Sequence, residues 1–249
     1  MPAYGTDLAY IHHTGFGDFA RSAAPEILDT LNRAGISSGL IVDLGCGSGI
    51  WARQLLRSGY EVLGVDISPG MIALAKKNAP GARFRVASLL EVEIPPCAAV
   101  TAIGECLNYA FDSRARLPAL SRLFKRIFSA LLPGGIFIFD VAAPGRVGPC
   151  WSRREFVEGK DWVVFSHSKE NDKHKTLTRR ITTFRKIGKY YRHSVEVHKL
   201  KLYEPAELVA ALRRKGFTVR MKDDYGAFRL HPRLTVIIAR KPAINNVLK

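Results

Sequence analysis

Cysteine is scarce in this chain: four residues in 249, Cys46, Cys97, Cys106 and Cys150, with no CxxC pair among them. That spacing excludes a disulfide framework and a zinc-finger ligand set, so a reduced, cytoplasmic chain without a bound metal is expected. Long apolar runs are missing too. None approaches the roughly 20 residues of a membrane span, so no membrane association is expected. The opening Met1-Pro2-Ala3-Tyr4-Gly5-Thr6-Asp7 lacks a basic segment and an apolar segment, which argues against a signal peptide. Neither an internal repeat nor a low-complexity tract is found. Acidic residues are also short, 22 Asp/Glu against 38 Lys/Arg, for a formal charge of +16.

That shortage is uneven. The first 150 residues hold 14 Lys/Arg and 12 Asp/Glu, whereas the rest hold 24 and 10. The balanced part reads as an ordinary enzyme core. The basic part is either a solvated face or the mark of an anionic partner. With 47% hydrophobic residues the chain can bury a sizeable core as one α/β domain with an elaboration.

Leu40-Ile41-Val42-Asp43-Leu44 reads as a buried strand, and Gly45-Cys46-Gly47-Ser48-Gly49 breaks it. Helical spacing resumes at Ile50. Strand, glycine turn and helix open a nucleotide-binding βαβ unit, in which bare backbone and helix N–H groups meet a ligand. The next strand, Glu61 to Asp66, places a carboxylate 21 residues after Gly45, where it can accept both hydroxyls of a ribose. Ser68 and Pro69 then read as N-cap and first residue of a helix to about Asn78. Ile67 and Met71 would lie near the adenine. Further strands are expected at Arg83–Ala87, before Ser88 and Leu89, at Ala98–Ile103, and at Ile136–Val141 after the turn Leu132-Pro133-Gly134-Gly135. A helix near Arg114 to Leu131 separates the last two. Such alternation implies a parallel, doubly wound sheet.

Here the residues resemble class I S-adenosylmethionine-dependent methyltransferases. Asp43-Leu44-Gly45-Cys46-Gly47-Ser48-Gly49 is similar to that family's first motif and Gly64-Val65-Asp66-Ile67-Ser68-Pro69-Gly70-Met71 to its second. Leu132-Pro133-Gly134-Gly135, before a strand ending at Asp140, resembles a later one. The resemblance covers Leu40 to Val141 well and Tyr203 to Lys241 loosely. It implies a seven-stranded Rossmann-like methyltransferase sheet, S-adenosyl-L-methionine as cofactor, and a small-molecule acceptor, because Gly104-Glu105-Cys106-Leu107-Asn108-Tyr109 is similar to the fourth-strand loop of small-molecule enzymes. The turn itself agrees. A dinucleotide fingerprint would have a third glycine at position 50, which is Ile here, and Asp43 suits a ligand ammonium better than a pyrophosphate.

The expected cofactor residues are Tyr10, His13, Asp43, Gly45, Cys46, Gly47, Asp66, Ile67, Met71, Ser88, Leu89, Gly104 and Glu105. Before the first strand, a short helix, a Gly-Phe-Gly turn and a helix over Ala20–Ala34 form a cap (1–38). Its Tyr10, His13, Phe16 and Phe19 either cover the ligand or strap the sheet. Past Val141 the α/β rhythm stops. Strands at Asp161–Ser168, Thr176–Lys186 and Tyr190–Leu202 read as an antiparallel lid (146–202) inserted in the cofactor domain (39–145 and 203–242). Alternation puts Ser194, Glu196 and His198 on one lid face. If that face meets the pocket, His198 is the general-base candidate; otherwise the face is exposed. The substrate-facing expectation is Phe16, Phe19, Asn108, Tyr109 and His198, with His198, Glu105 and Tyr109 as catalytic candidates. The helix from Glu204 to Lys215 is followed by antiparallel edge strands, Phe217–Met221 and Leu234–Ala239.

The expected reaction is in-line methyl transfer to a small-molecule N or O nucleophile by a monomer or homodimer. Two other readings stay open: an RNA or other anionic acceptor, favoured by the basic second half, and an S-adenosylmethionine-binding protein without transferase activity. The chain lacks the paired prolines of nucleobase amino methyltransferases after the fourth strand. Pro96-Cys97 and Pro149-Cys150 lie off the position of a cytosine-methylating Cys.

Overall fold

The computed structural model describes residues 4–112, 116–148 and 151–243. The Pro149-Cys150 pair, the Arg114 helix start and the first three residues lie outside that set. Two helices, α1 (Thr6–Gly15) and α2 (Asp18–Arg33), precede the first strand. Then β1 (Leu40–Leu44), α3 (Ile50–Arg57), β2 (Glu61–Asp66), α4 (Pro69–Asn78), β3 (Arg83–Val86), β4 (Cys97–Ala102), a short 3-10 turn (Cys106–Asn108), α5 (Leu117–Ala130) and β5 (Leu131–Ala142) follow. All six residues of β4 are buried, as both faces of the sheet are covered. Leu120, Leu123, Phe124 and Ile127 of α5 pack on one face. Ala24, Ile27 and Leu31 of α2 and Trp51 and Leu55 of α3 pack on the other.

The lid has four strands, β6 (Ser152–Glu158), β7 (Trp162–Asn171), β8 (Thr176–Ile187) and β9 (Tyr190–Lys201), paired antiparallel in chain order. After it come α6 (Pro205–Arg213), β10 (Thr218–Lys222), a two-residue-per-strand hairpin of β11 (Asp224–Tyr225) and β12 (Phe228–Arg229), and β13 (Leu234–Arg240). The main sheet runs β10-β13-β5-β4-β1-β2-β3. Strands β1 to β5 are parallel, and β13 is antiparallel to both its neighbours. This is the seven-stranded Rossmann-like methyltransferase sheet with an antiparallel insertion after β5. Strand order reverses between β1 and β4, so their C-terminal loops diverge and leave a crevice.

Three details differ from expectation. The lid has a fourth strand, β6, beyond the three expected; it is an exposed lid edge with all seven residues exposed, so it carries no burial alternation to read. The Leu132-Pro133-Gly134-Gly135 turn is a bulge inside β5: Cys97 pairs with Leu131, and two residues on, Ala99 pairs with Ile136. The β11–β12 hairpin falls where a plain loop was expected.

α1 joins the two parts. Its Leu8 and Ile11 pack with Trp162, Val164 and Ile181 of the lid, and Asp7 accepts hydrogen bonds from Arg185 and Arg192. Those two guanidinium donors hold the Asp7 carboxyl below its ordinary range.

Candidate active site

At the end of β1 the backbone takes positive φ at Gly45, Gly47 and Gly49 (74°, 51° and 75°). Two of these glycines do different work. A Cβ on Gly47 would meet nothing within 4 Å, so the turn faces open space there. A Cβ on Gly49 would sit 3.0 Å from the Ala75 Cα. Gly49 thus permits the close approach of the start of α3 to α4. Asp66 ties the turn to the next helix: its Oδ2 accepts from the Gly47 N–H at 2.9 Å and its Oδ1 from the Ser68 N–H at 2.8 Å. Ser68 caps α4 by accepting from the Met71 N–H. Asp43 is 1% exposed and accepts from Thr101 Oγ1 at 2.8 Å. Burial pushes its carboxyl up to about 7, and the Asp66 charge adds to that.

These groups line one end of a cavity of about 550 Å³. Gly45, Cys46, Ile67, Met71, Ser88, Leu89, Gly104 and Glu105 line it with them. An open backbone turn, a strand-tip carboxylate and a second carboxylate in dry surroundings fit a nucleoside with a cationic amino-acid tail. They would hold S-adenosylmethionine at Asp66 and Asp43 respectively.

The other end of the cavity is built from distant segments. Asp140 of β5 accepts from the N–H groups of Gly104 and Glu105 (2.8 and 2.6 Å) and from the Tyr225 hydroxyl (2.9 Å). This clamp holds Glu105 at φ 60°, a left-handed conformation that costs a non-glycine residue about 1 kcal/mol. The Glu105 side chain, buried, pairs through Oε1 with Arg146 at 3.0 Å. Its Oε2 lies 3.8 Å from Arg179 of β8. Tyr109 stacks on Phe111 and shares a 3.1 Å hydrogen bond between hydroxyls with Tyr4. Phe16 and Phe19 also line the cavity.

Four expected site residues lie elsewhere. The Tyr10 hydroxyl donates to Asp161 and its ring carries Arg185, so this side chain fastens α1 to the lid and not to a cofactor. His13 hydrogen-bonds Ser48 Oγ at 2.9 Å behind the turn and does not line the cavity. One helical step away, His12 does line it, stacked on Phe16. Burial pushes the His12 imidazole down to about 4, leaving it neutral at physiological pH. Asn108 is fully buried and its amide is spent on backbone: Nδ2 donates to the Ala142 and Lys201 carbonyls, and Oδ1 accepts from the Ala142 N–H. It splices the fourth-strand loop to β5 and β9, and with both amide hydrogens so used it lies fully buried off the cavity. His198 shares its face with Glu196, as alternation implies, but its ring is walled off by Tyr4, Tyr109 and Phe111. It bonds Glu196, which in turn accepts from the Gly5 N–H, so the pair anchors the N-terminal strap. A general-base role has no path from that position.

Tyr4, His12, Phe111, Arg146 and Arg179 were not expected in the site. Arg179 alone had a readable signal, since it shares a strand face with Leu177 and Ile181. Asn108→Ala would orphan the buried Ala142 N–H and the Lys201 carbonyl, while the Ala142 carbonyl keeps its bond from the Tyr203 N–H, so a loss of about 2–4 kcal/mol in chemical denaturation is expected. Wild-type stability would restore Asn108 as a candidate ligand.

Residues 41–135 match the family described as "Methyltransferase domain". A protein of Geobacillus named as a methyltransferase is 28% identical over 72% of this chain and 74% of its own length. A malonyl-[acyl-carrier protein] O-methyltransferase of Serratia marcescens is 23% identical over 81% of this chain and 73% of its own length. Among solved structures, an S-adenosylmethionine-dependent methyltransferase of Clostridium acetobutylicum superposes with a TM-score of 0.79 at 17% identity, covering 95% of this chain and 98% of its own. The sugar N-methyltransferase KedS8 of Streptoalloteichus gives 0.76 at 19% identity over 97% of both chains. At those identities the structures speak to the fold. The family match falls on β1 to the start of β5, the stretch that forms the glycine turn and both carboxylates of the cradle. Residues 41–135 are thus a methyltransferase domain, and the fold of the chain is that of S-adenosylmethionine-dependent methyltransferases.

Proposed function

We propose that this enzyme moves the methyl group of S-adenosylmethionine to a nitrogen or oxygen atom of a small molecule held between the Gly104–Phe111 loop and the lid. The carrying observation is the continuity of the cavity. The glycine turn, Asp43 and Asp66 line one end and Glu105, Tyr109, Arg146 and Arg179 the other, so donor and acceptor share a single space. When bound, the cofactor supplies a methyl group already activated by its sulfonium. The protein then has to orient the acceptor and exclude water. Tyr4, Phe16, Phe19 and Phe111 form the apolar wall, and burial keeps the Tyr109 phenol protonated as a hydrogen-bond donor. Glu105, held rigidly by Asp140 and Arg146, is the carboxylate placed to orient an acceptor N–H or O–H. The name of the sugar N-methyltransferase that shares the fold supports a small acceptor. Residues 146–202 are read as the lid of this site, and no helix among the described residues is long and apolar enough to cross a membrane.

Incubating the full chain with isotopically labelled methyl donor and a metabolite extract should yield one labelled small molecule, identified by mass. Glu105→Gln should lower kcat on it by about tenfold or more while cofactor affinity stays within a few-fold, the pattern of a lost transition-state contact. Label appearing in RNA and in no metabolite would overturn the proposal.

A further inference from the structure

Resting on the reading that the lid end of the cavity takes the acceptor, we infer that the acceptor carries its own anionic group, a carboxylate or a phosphate, and that Arg179 binds it. The inference starts from a mismatch in the cavity wall. Two guanidinium groups face one carboxylate. Arg146 takes the Glu105 Oε1 with both Nε and Nη2 at 3.0 Å. Arg179 comes no nearer to the other oxygen than 3.8 Å. Its remaining contacts are with neutral groups at the long end of hydrogen bonding, Ser168 Oγ at 3.3 Å and the Tyr109 hydroxyl at 3.4 Å. Arg146 is matched; Arg179 is not.

Nor can Arg179 move to solvent cheaply. Its neighbours on the same face of β8, Leu177 and Ile181, are buried, and its side chain is 23% exposed. A largely buried cation whose nearest carboxylate among the described residues is 3.8 Å away and already held by Arg146 is under-matched, and a guanidinium fork is shaped for two oxygens of a carboxylate or phosphate. The two phenols beside it do not supply the missing charge, since burial holds both above their ordinary range. The cavity's other carboxylates lie at the cofactor end: Asp43 and Asp66 in the cradle, and Asp112 on Ser88. Arg229 and His231 line the cavity as well, so its lining holds three arginines, Arg146, Arg179 and Arg229. A zwitterionic donor and an anionic acceptor would each find the opposite charge.

The test uses the full chain at fixed ionic strength, with and without S-adenosylhomocysteine. One arm titrates inorganic phosphate and the other malonate, each followed through the arginine Nε–Hε resonances. Saturable binding in at least one arm is expected, and which arm it is distinguishes a phosphate from a carboxylate acceptor. Arg179→Gln should weaken that binding by about tenfold or more, and Arg179→Lys, which keeps the charge but not the fork, by less. Arg57→Gln removes the same charge from an exposed position on α3 and should leave it unchanged. No saturation in either arm, or equal affinity in wild type and Arg179→Gln, would overturn the inference. The titration without S-adenosylhomocysteine judges the anion site by itself. Failure of the wild-type chain to bind S-adenosylhomocysteine would instead count against the proposed function.

Discussion

Asp43→Asn is expected to weaken S-adenosylhomocysteine binding by about a hundredfold at pH 8, and at the same time to stabilise the ligand-free protein. Both effects have one cause. Asp43 is buried with one hydrogen-bond donor, Thr101, and its carboxyl is pushed up to about 7. An ionised carboxylate in that position is costly without a cation and attractive to the cofactor's ammonium, a charge-assisted pairing worth about 2–3 kcal/mol. In wild type, affinity should fall by about tenfold between pH 8 and pH 6, as protonation near pH 7 removes the attracting charge. Asn should flatten that part of the profile.

The stability sign follows from linkage. A folded value near 7, against about 3.9 unfolded, means that the folded state holds the proton more tightly. The stabilisation this provides is complete below about pH 4 and is lost as pH rises to about 7. At pH 8 the ligand-free Asn variant should recover up to about 4 kcal/mol, since its carbonyl still accepts from Thr101. Thermal melts at pH 5 and pH 8 and calorimetry with S-adenosylhomocysteine measure both halves. Undiminished affinity, or a lower Tm at pH 8, would sink this account of Asp43.

For Asp66→Ala the two effects have the same sign. Cofactor affinity should drop by at least about a hundredfold, because a carboxylate that can pair with both ribose hydroxyls is gone. Stability should also drop, by about 1–3 kcal/mol, since the Gly47 and Ser68 N–H groups lose their acceptor. The fold should survive, as the turn retains its glycines and α4 its Ser68 cap. Circular dichroism and calorimetry on one preparation decide the matter. Binding at wild-type strength would remove Asp66 from the cradle.

Much of the cradle was legible because its signals are local. Asp43 to Gly49 and Asp66 to Met71 are short runs in which strand, turn, cap and ligand-facing atoms follow one another in the chain. Alternation likewise put Glu196 and His198 on one face of β9. It could not say what stands opposite, and Tyr4, at the other end of the chain, closes that space. Helical phase on α1 was ambiguous by one residue, so His13 was expected where His12 lines the cavity. Asn108 had the composition of a ligand contact, yet the Ala142 and Lys201 backbone claim its amide.

The amino-acid sequence by itself therefore determined the cofactor half: contiguous backbone geometry makes that half, and contiguous residues encode it. In the proposed acceptor half the sequence pointed to Glu105 and Tyr109, and only the tertiary structure added Tyr4, Arg146 and Arg179. Tyr4, Glu105, Tyr109, Arg146 and Arg179 come from the N-terminal strap, the fourth-strand loop, the segment after β5 and the lid. The charge balance among them exists only once those segments have closed on one cavity.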